Sequence, residues 1–290
     1  MGAGPPTALI TGGNQGIGYA TARLLLLDGY RVVLACRNAA RAEAACAALS
    51  PLGRISPVSV DLADLRDVAR CAEEIRRQHA HVDALILNAG VFLTPPMTTV
   101  DGIESQFGIN HLGHFALFEH LQPILHQARV VSVSSSAHRY GRIDFDRLEH
   151  TSGYQPWRAY AQSKLANLLF IRALNRLHGG RFLGVACHPG YCATNLQHHL
   201  GLAAIGNRIL AQSSEAGARI VFAAATDPHA KANDYFVPHG LLGLRGAPER
   251  GRMHQRARDE DLALRLWETC QQLIKTRGGA MNDMSTKHHD

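Results

Sequence analysis

Short runs of β-branched and aliphatic residues alternate along the chain with longer stretches in which apolar residues recur every three or four positions. Ala8–Thr11, Arg31–Cys36, Ile55–Val60, Ala84–Leu87, Val130–Ser134 and Phe182–Cys187 read as strands. Between them, Gly16–Leu27, Ala40–Leu49, Leu65–Gln78, Gly102–His126 and Ala159–Leu177 read as helices. Strand and helix in such alternation predict a parallel sheet covered by helices on both faces. Right-handed crossovers then give an α/β, doubly wound sheet of about seven strands. Beyond Cys187 the alternation weakens. It predicts helices over Leu196–Arg208 and Ser214–Ala225, a strand at Tyr235–Val237 and a last helix at Asp259–Lys275. The polar tail Arg277–Asp290 is expected to fray. No linker or repeat divides the chain, so residues 1–290 read as a single domain with a core over 7–240 and a C-terminal extension over 241–290.

Composition narrows the class. The 290 residues are 46% hydrophobic and 19% charged, which excludes a disordered chain and allows one large core. Six cysteines (Cys36, Cys46, Cys71, Cys187, Cys192, Cys270) are scattered without a C-x-x-C pair. They form neither a disulfide framework nor a zinc site, and read as buried, reduced thiols. The net charge is +6, but Lys and Arg occur singly among acids, so nucleic-acid binding is not expected. No apolar stretch approaches the ~20 residues that span a bilayer. The opening Met1 to Pro6 runs straight into the first strand and leaves no room for a signal peptide. The expectation is a soluble, cytoplasmic protein.

The chemistry begins at the end of the first strand, which reads Thr11-Gly12-Gly13-Asn14-Gln15-Gly16-Ile17-Gly18 and opens a helix. Glycines there allow a tight turn and a close backbone approach to a pyrophosphate, and the helix N-terminus offers free N–H groups. The second strand ends Leu34-Ala35-Cys36-Arg37-Asn38. An acidic residue at such a position binds the ribose 2′-hydroxyl of NAD, whereas an arginine favours the 2′-phosphate of NADP. Further on, Tyr160-Ala161-Gln162-Ser163-Lys164 puts a phenol and an ammonium four residues apart on one helix face. A lysine charge nearby, together with the positive nicotinamide ring of an oxidised cofactor, is expected to lower the tyrosine pKa and prepare it for proton exchange.

The T-G-x-x-x-G-x-G spacing, Asn88-Ala89-Gly90 after the fourth strand and Y-x-x-x-K together resemble the short-chain dehydrogenase/reductase family, with its Rossmann-like sheet. The resemblance runs strongly from Thr7 to Thr194. It implies cofactor contacts at Gly12, Asn14, Gln15, Gly16, Ile17 and Gly18, at Arg37, at Asp61 and Leu62 beside the adenine, and at Asn88, Ala89 and Gly90. Taken alone, Asp61 would be an ordinary helix N-cap. Tyr160 and Lys164 are implied both in catalysis and against the cofactor. Ser135, flanked by Ser134 and Ser136, matches the family's catalytic serine. Asn110 matches the asparagine that bends the fourth helix and holds a water beside the lysine. Pro189, Gly190 and Thr194 match the segment that meets the nicotinamide.

Asn110-His111-Leu112-Gly113-His114-Phe115 and Ser163-Lys164-Leu165-Ala166-Asn167 look like the retinol-dehydrogenase-like branch. The implied activity is interconversion of a carbonyl and an alcohol with NADP(H), NAD(H) being the alternative. The small-molecule substrate is expected to be apolar, as a retinoid is. Tyr140, Phe145, Tyr154 and Trp157 are offered as one wall of its cleft. A lid over about 191–213 supplies Leu196, Leu200, Leu202, Ile205, Ile209 and Leu210. Alternatives are a non-catalytic NADP(H)-binding sensor or a C=C reductase related to protochlorophyllide reductase. The helices around 102–126 and 159–177 form homodimer bundles in many relatives.

Overall fold

The computed structural model describes residues 4–190, 213–240 and 245–278. The chain alternates as its hydrophobic pattern dictates: β1 (Thr7–Thr11), α1 (Gly16–Leu27), β2 (Arg31–Cys36), α2 (Ala39–Leu49), β3 (Ile55–Ser59), α3 (Leu65–Gln78) and β4 (Ala84–Leu87). There follow α4 (Ser105–Phe107), α5 (Gly113–Leu121), β5 (Arg129–Val133), α6 (Pro156–Leu177), β6 (Leu183–Cys187), α7 (Ser214–Thr226), β7 (Tyr235–Pro238), β8 (Pro248–Arg250) and α8 (Glu260–Arg277). The sheet order is β3-β2-β1-β4-β5-β6-β7-β8. Strands β1 to β7 are parallel, and β8 returns antiparallel on β7. This last strand lies outside the sequence pattern because its three residues are all exposed. Arg250 fixes it, with hydrogen bonds of 2.8 Å to both Asp227 and Asp234.

Strand residues alternate between two cores. Leu9, Val33, Ala35, Leu85 and Leu87 face α3, α5 and α6, while Ala8, Ile10, Val32, Leu34, Ala84 and Ile86 face α1, α2 and α7. Each buried branched side chain contributes about 1.5–3 kcal/mol, and a one-residue slip in register would send every strand side chain into the opposite core, where the packing does not match it. A further layer covers α5 and α6. In α8, Trp267 stacks on Phe170 of α6 at 5.7 Å and meets Phe115 and Phe118 of α5 edge-on at 4.8 and 6.0 Å. The helices offered above for dimer formation are thus partly covered by the chain itself.

Asp64, not Asp61, caps α3, accepting from the Arg66 and Asp67 amides, so the plain N-cap reading of Asp61 falls away. One local expectation changes. The helix expected over 102–126 starts at Ser105, where the Glu104 carboxylate accepts from the Gln106 and Phe107 amides at 2.7 and 2.8 Å. It then widens into a π-turn over Gly108–Leu112 before α5. Glycines flank this turn because neighbours press on it: a Cβ at Gly108 would strike Thr99, and one at Gly113 the Leu62 carbonyl. Such π-bulges are frequent at functional sites. The helix expected at Leu196–Arg208, most of the lid over 191–213, Cys192, Thr194 and all of the tail past residue 278 lie outside the described residues.

Candidate active site

The chain lays β2 and β3 to one side of β1, then returns to build the other side from β4. Open α/β sheets bind ligands beyond the carboxyl ends of the strands at such a switch. A cavity of about 650 Å³ opens there. Gly12, Asn14, Gln15, Gly16, Ile17 and Gly18 line one end of it. Gly12 and Gly16 have φ of +69° and +57°, a region that side chains disfavour. A Cβ on Gly18 would run into the Gly12 carbonyl and come within 2.7 Å of Asn88 Nδ2. The Thr11 hydroxyl accepts from the Asn88 and Ala89 amides at 2.9 and 3.0 Å, and Asn88 Nδ2 donates to the Thr11 carbonyl at 2.9 Å. The ends of β1 and β4 are therefore laced together beneath the glycine turn.

Arg37 follows β2, and α2 brings Arg41 to the same end of the cavity, a residue that sequence reasoning missed. It lies in the first turn of α2, four residues past Arg37 and beside the Asn38 N-cap, and a second arginine so near the strand end was the available signal. Among the described residues neither guanidinium has a carboxylate partner. Where an acid could stand, Cys36 is buried, which raises its thiol pKa against the pull of the Gly13, Asn14 and Gly12 amides. Asp61 and Leu62 line the cavity beside these arginines, and Asp61 Oδ1 accepts from the Ala63 amide at 3.0 Å. Backbone amides at a glycine turn, two guanidiniums at one end and a tyrosine–lysine pair at the other are a donor set that fits a nicotinamide dinucleotide.

At the other end the lining includes Asn88, Ala89, Gly90, Ser135, Tyr160, Lys164, Pro189 and Gly190. Lys164 Nζ donates to the Val133 carbonyl at 3.2 Å and lies 5.7 Å from the Tyr160 ring centroid. Burial pushes the lysine down to about 8. Burial also pushes Tyr160 up to about 12, with hydrogen bonding to Ser135 pulling the other way. In the protein alone, desolvation outweighs any help from the lysine. Ser134 Oγ is already spent on the Lys164 carbonyl at 2.7 Å, while Ser135 sits at the head of a 3-10 turn and accepts from the Ala137 amide at 3.3 Å. The Asn110 side chain makes three hydrogen bonds. Its oxygen accepts from the Val91 amide at 2.6 Å, and its nitrogen donates to the Val91 carbonyl and Ser163 Oγ, both at 3.0 Å. A Cβ on Gly90 would meet Asn110 Oδ1 at 3.0 Å and Lys164 Nζ at 3.5 Å, so glycine is what lets these groups converge.

Two buried histidines back the site. Thr11 Oγ1, already accepting two amides, donates to His114 Nε2 at 2.8 Å, and His114 Nδ1 donates to the Asn110 carbonyl at 3.1 Å. His114 is pushed down to about 3 by burial. His138 donates from Nδ1 to the Ser135 carbonyl at 2.6 Å and is pushed down to about 4 by burial. Of the four aromatic residues offered as a cleft wall, Trp157 lines the cavity and Tyr140 stands 6.2 Å from it. Phe145 lies instead under the Arg265 guanidinium at 3.9 Å, and the Tyr154 hydroxyl is bonded to Thr94 and Gln106 behind the wall. Phe92, missed by sequence reasoning, lines the cavity with its ring 4.6 Å from that of Tyr160. Its place two residues past Asn88-Ala89-Gly90 was the signal.

The short chain dehydrogenase family model matches residues 6–205. Human retinol dehydrogenase 14 is 35% identical over 297 aligned residues, covering 92% of this chain and 86% of that one. Human retinol dehydrogenase 13 is 37% identical over 92% of this chain and 84% of its own. A crystal structure of a protein from Mycobacterium paratuberculosis superposes with a TM-score of 0.80 at 39% identity over 94% of both chains. A blue fluorescent protein from a metagenomic library, solved in complex with NADPH, superposes at 0.64 with 26% identity over 79% of this chain and 95% of its own. With the glycine turn at the switch point and the tyrosine–lysine pair facing it, the chain belongs to the short chain dehydrogenase family as a retinol-dehydrogenase-like oxidoreductase acting between alcohol and carbonyl with a nicotinamide cofactor.

Proposed function

We propose that the protein interconverts an apolar carbonyl compound and its alcohol with NADP(H) in preference to NAD(H). The observation that carries this is one cavity with Ser135, Tyr160 and Lys164 at one end and Arg37 and Arg41 at the other. The glycine turn and the first amides of α1 would hold the pyrophosphate, and the two guanidiniums the 2′-phosphate. Asp61 and Leu62 would border the adenine, and Pro189, Gly190 and Thr194 the nicotinamide. When bound, NADPH supplies the hydride.

The chain's own residues would handle the oxygen. The Ser135 hydroxyl donates a hydrogen bond to it, and the Tyr160 hydroxyl gives it a proton. Burial favours the protonated phenol, so the acid form is the resting one, and an alkoxide is basic enough to take that proton. Lys164, buried beside the tyrosine ring, then stabilises the phenolate and returns the proton, while Asn110 holds the Val91 loop against the site. The oxidation uses the same groups in reverse. Phe92, Trp157 and Ile109 favour an apolar substrate at this end. No helix among the described residues is long and apolar enough to cross a membrane, and we read the protein as cytoplasmic. Pairing of two copies through α5 and α6 would have to use what α8 leaves uncovered of these helices. Sedimentation tests it, and a 31.5 kDa species alone would overturn the homodimer.

The deciding experiment follows oxidation of NADPH and of NADH against carbonyls running from small ketones to retinal. Turnover with NADPH on an apolar aldehyde or ketone is expected. Tight NADPH binding without turnover on any carbonyl would point instead to a sensor, and binding of neither cofactor would overturn the reading.

A further inference from the structure

Beyond β4 the chain places Val91 and Phe92 in one wall of the cavity, and the residues on either side of Phe92, Val91 and Leu93, are fastened from behind. Asn110 holds both backbone groups of Val91. One turn earlier on the same helix, Gln106 Oε1 accepts from the Leu93 amide at 3.0 Å. Phe92 stands between the two fastened residues, its ring edge-to-face on Tyr160 at 83°. Leu93 has φ of +50°, a left-handed conformation that leucine keeps only where its surroundings impose it.

The same carboxamide reaches the opposite loop. Gln106 Nε2 donates to the Tyr154 hydroxyl at 2.7 Å and to the Pro156 carbonyl at 2.9 Å, and Tyr154 in turn donates to the Thr94 carbonyl at 2.9 Å. Pro156 opens α6 immediately before Trp157, whose ring lies 6.2 Å from that of Tyr160. Gln106 is fully buried, and with an N–H facing its oxygen and a carbonyl facing its nitrogen the amide has one orientation. It does not itself line the cavity.

We propose that the Gln106 carboxamide, with the Tyr154 hydroxyl, is a clasp that sets the gap between Phe92 and Trp157 and so selects substrates whose flat apolar group packs beside the Tyr160 ring. The inference rests on the carbonyl-reductase reading above and names its selectivity device. Aromatic rings gain from edge and offset contacts that depend on spacing. A small aliphatic ketone cannot span the two rings, so its binding depends little on their gap. Gln106 is a positioning residue.

The test compares wild type with Gln106→Leu and Tyr154→Phe, measuring kcat and KM with NADPH for acetophenone and for butanone. Beside this, acrylamide quenching of tryptophan fluorescence is recorded on the free protein. The chain has two tryptophans, and Trp267 is buried, so quenching reports Trp157. In Gln106→Leu the KM for acetophenone is expected to rise about tenfold more than that for butanone, and in Tyr154→Phe about threefold more, while kcat changes alike for both ketones. Trp157 quenching is expected to increase. A purely structural role would weaken both ketones together. An unchanged selectivity ratio in a folded variant overturns the clasp, whatever the quenching. Should Gln106→Leu fail to fold, Tyr154→Phe decides by the same ratio. Should wild type reduce neither ketone, the same ratio is taken between an aromatic and a short aliphatic carbonyl from the panel above; should it reduce no carbonyl at all, the carbonyl-reductase reading fails, and unchanged quenching in the variants then overturns the clasp on its own.

Discussion

The two ends of the cavity are built in opposite ways. The cofactor end is backbone: glycines whose side chains would collide, free helix amides, and Thr11 and Asn88 lacing β1 to β4. The other end is side chain, assembled from segments far apart in sequence. Asn110 meets Val91 and Ser163, Gln106 meets Leu93 and Pro156, and Tyr160 stands among Phe92, Trp157 and Ser135. Backbone shape tolerates no substitution but demands only glycine. A side-chain assembly tolerates more exchange and can be retuned residue by residue, which suits the end where a substrate is chosen.

The comparison breaks most sharply at Tyr160. Tyr160→Phe keeps the ring, its contact with Phe92 and the whole cofactor end, and removes only the hydroxyl. It is expected to lower kcat about 10³-fold while leaving the dissociation constant for NADPH within about threefold. Stopped-flow turnover and fluorescence titration check the two halves of that statement. A variant that lost both together would show that the two ends are not separable.

Acid should also separate them. His111, His114, His138 and His188, pushed down to about 4, 3, 4 and 3, all follow β4, and burial is the chief cause for each. In the unfolded chain each takes up a proton near pH 6.5, whereas in the folded protein each stays neutral until about 3 or 4. The unfolded state therefore binds more protons throughout that window. Stability is full above pH 6.5 and falls as the pH drops, by about 1.4 kcal/mol per unit for each histidine, or about 2 kcal/mol each at pH 5. Hydrogen exchange at pH 5 is expected to rise first in α5 and around Ser135, with β1 and α1 protected longest. Uniform loss across the sheet would contradict the division.

This same division decides what could be read in the sequence. Glycine spacing, strand periodicity and the Tyr160–Lys164 interval are local, and local patterns mark the alternation of strands and helices and the cofactor turn. The resemblance alone marks a bend at Asn110; that it takes the form of a π-turn over Gly108–Leu112, with Thr99 and Leu62 close against its glycines, is not legible in local pattern. Nor is Gln106, whose role exists only once residues 93, 154 and 156 come together around it. Tyr154 and Phe145 show the converse: aromatic composition nominated them for the cavity, while hydrogen bonding and a cation contact turn them away from it.

The smallest effect sharpens the comparison within the cofactor end itself. Arg37 and Arg41 are exposed side chains attached to an otherwise backbone-built site, so they should tune which dinucleotide is preferred without affecting whether one binds. A charge-assisted contact to a phosphate in solvent is screened, and Arg41 can replace part of it. Arg37→Gln is therefore expected to raise the KM for NADPH by about tenfold, about 1.4 kcal/mol, with NADH almost unaffected. Adding Arg41→Gln should deepen the loss by less than the first step if both grip one phosphate, because neighbours sharing a partner are not additive. Raised salt should shrink the NADPH advantage in wild type and leave the double variant indifferent. Equal loss of NADPH and NADH in Arg37→Gln would mean that the guanidinium supports the glycine turn, not the 2′-phosphate, and would return the choice of cofactor to Cys36 and the backbone around it.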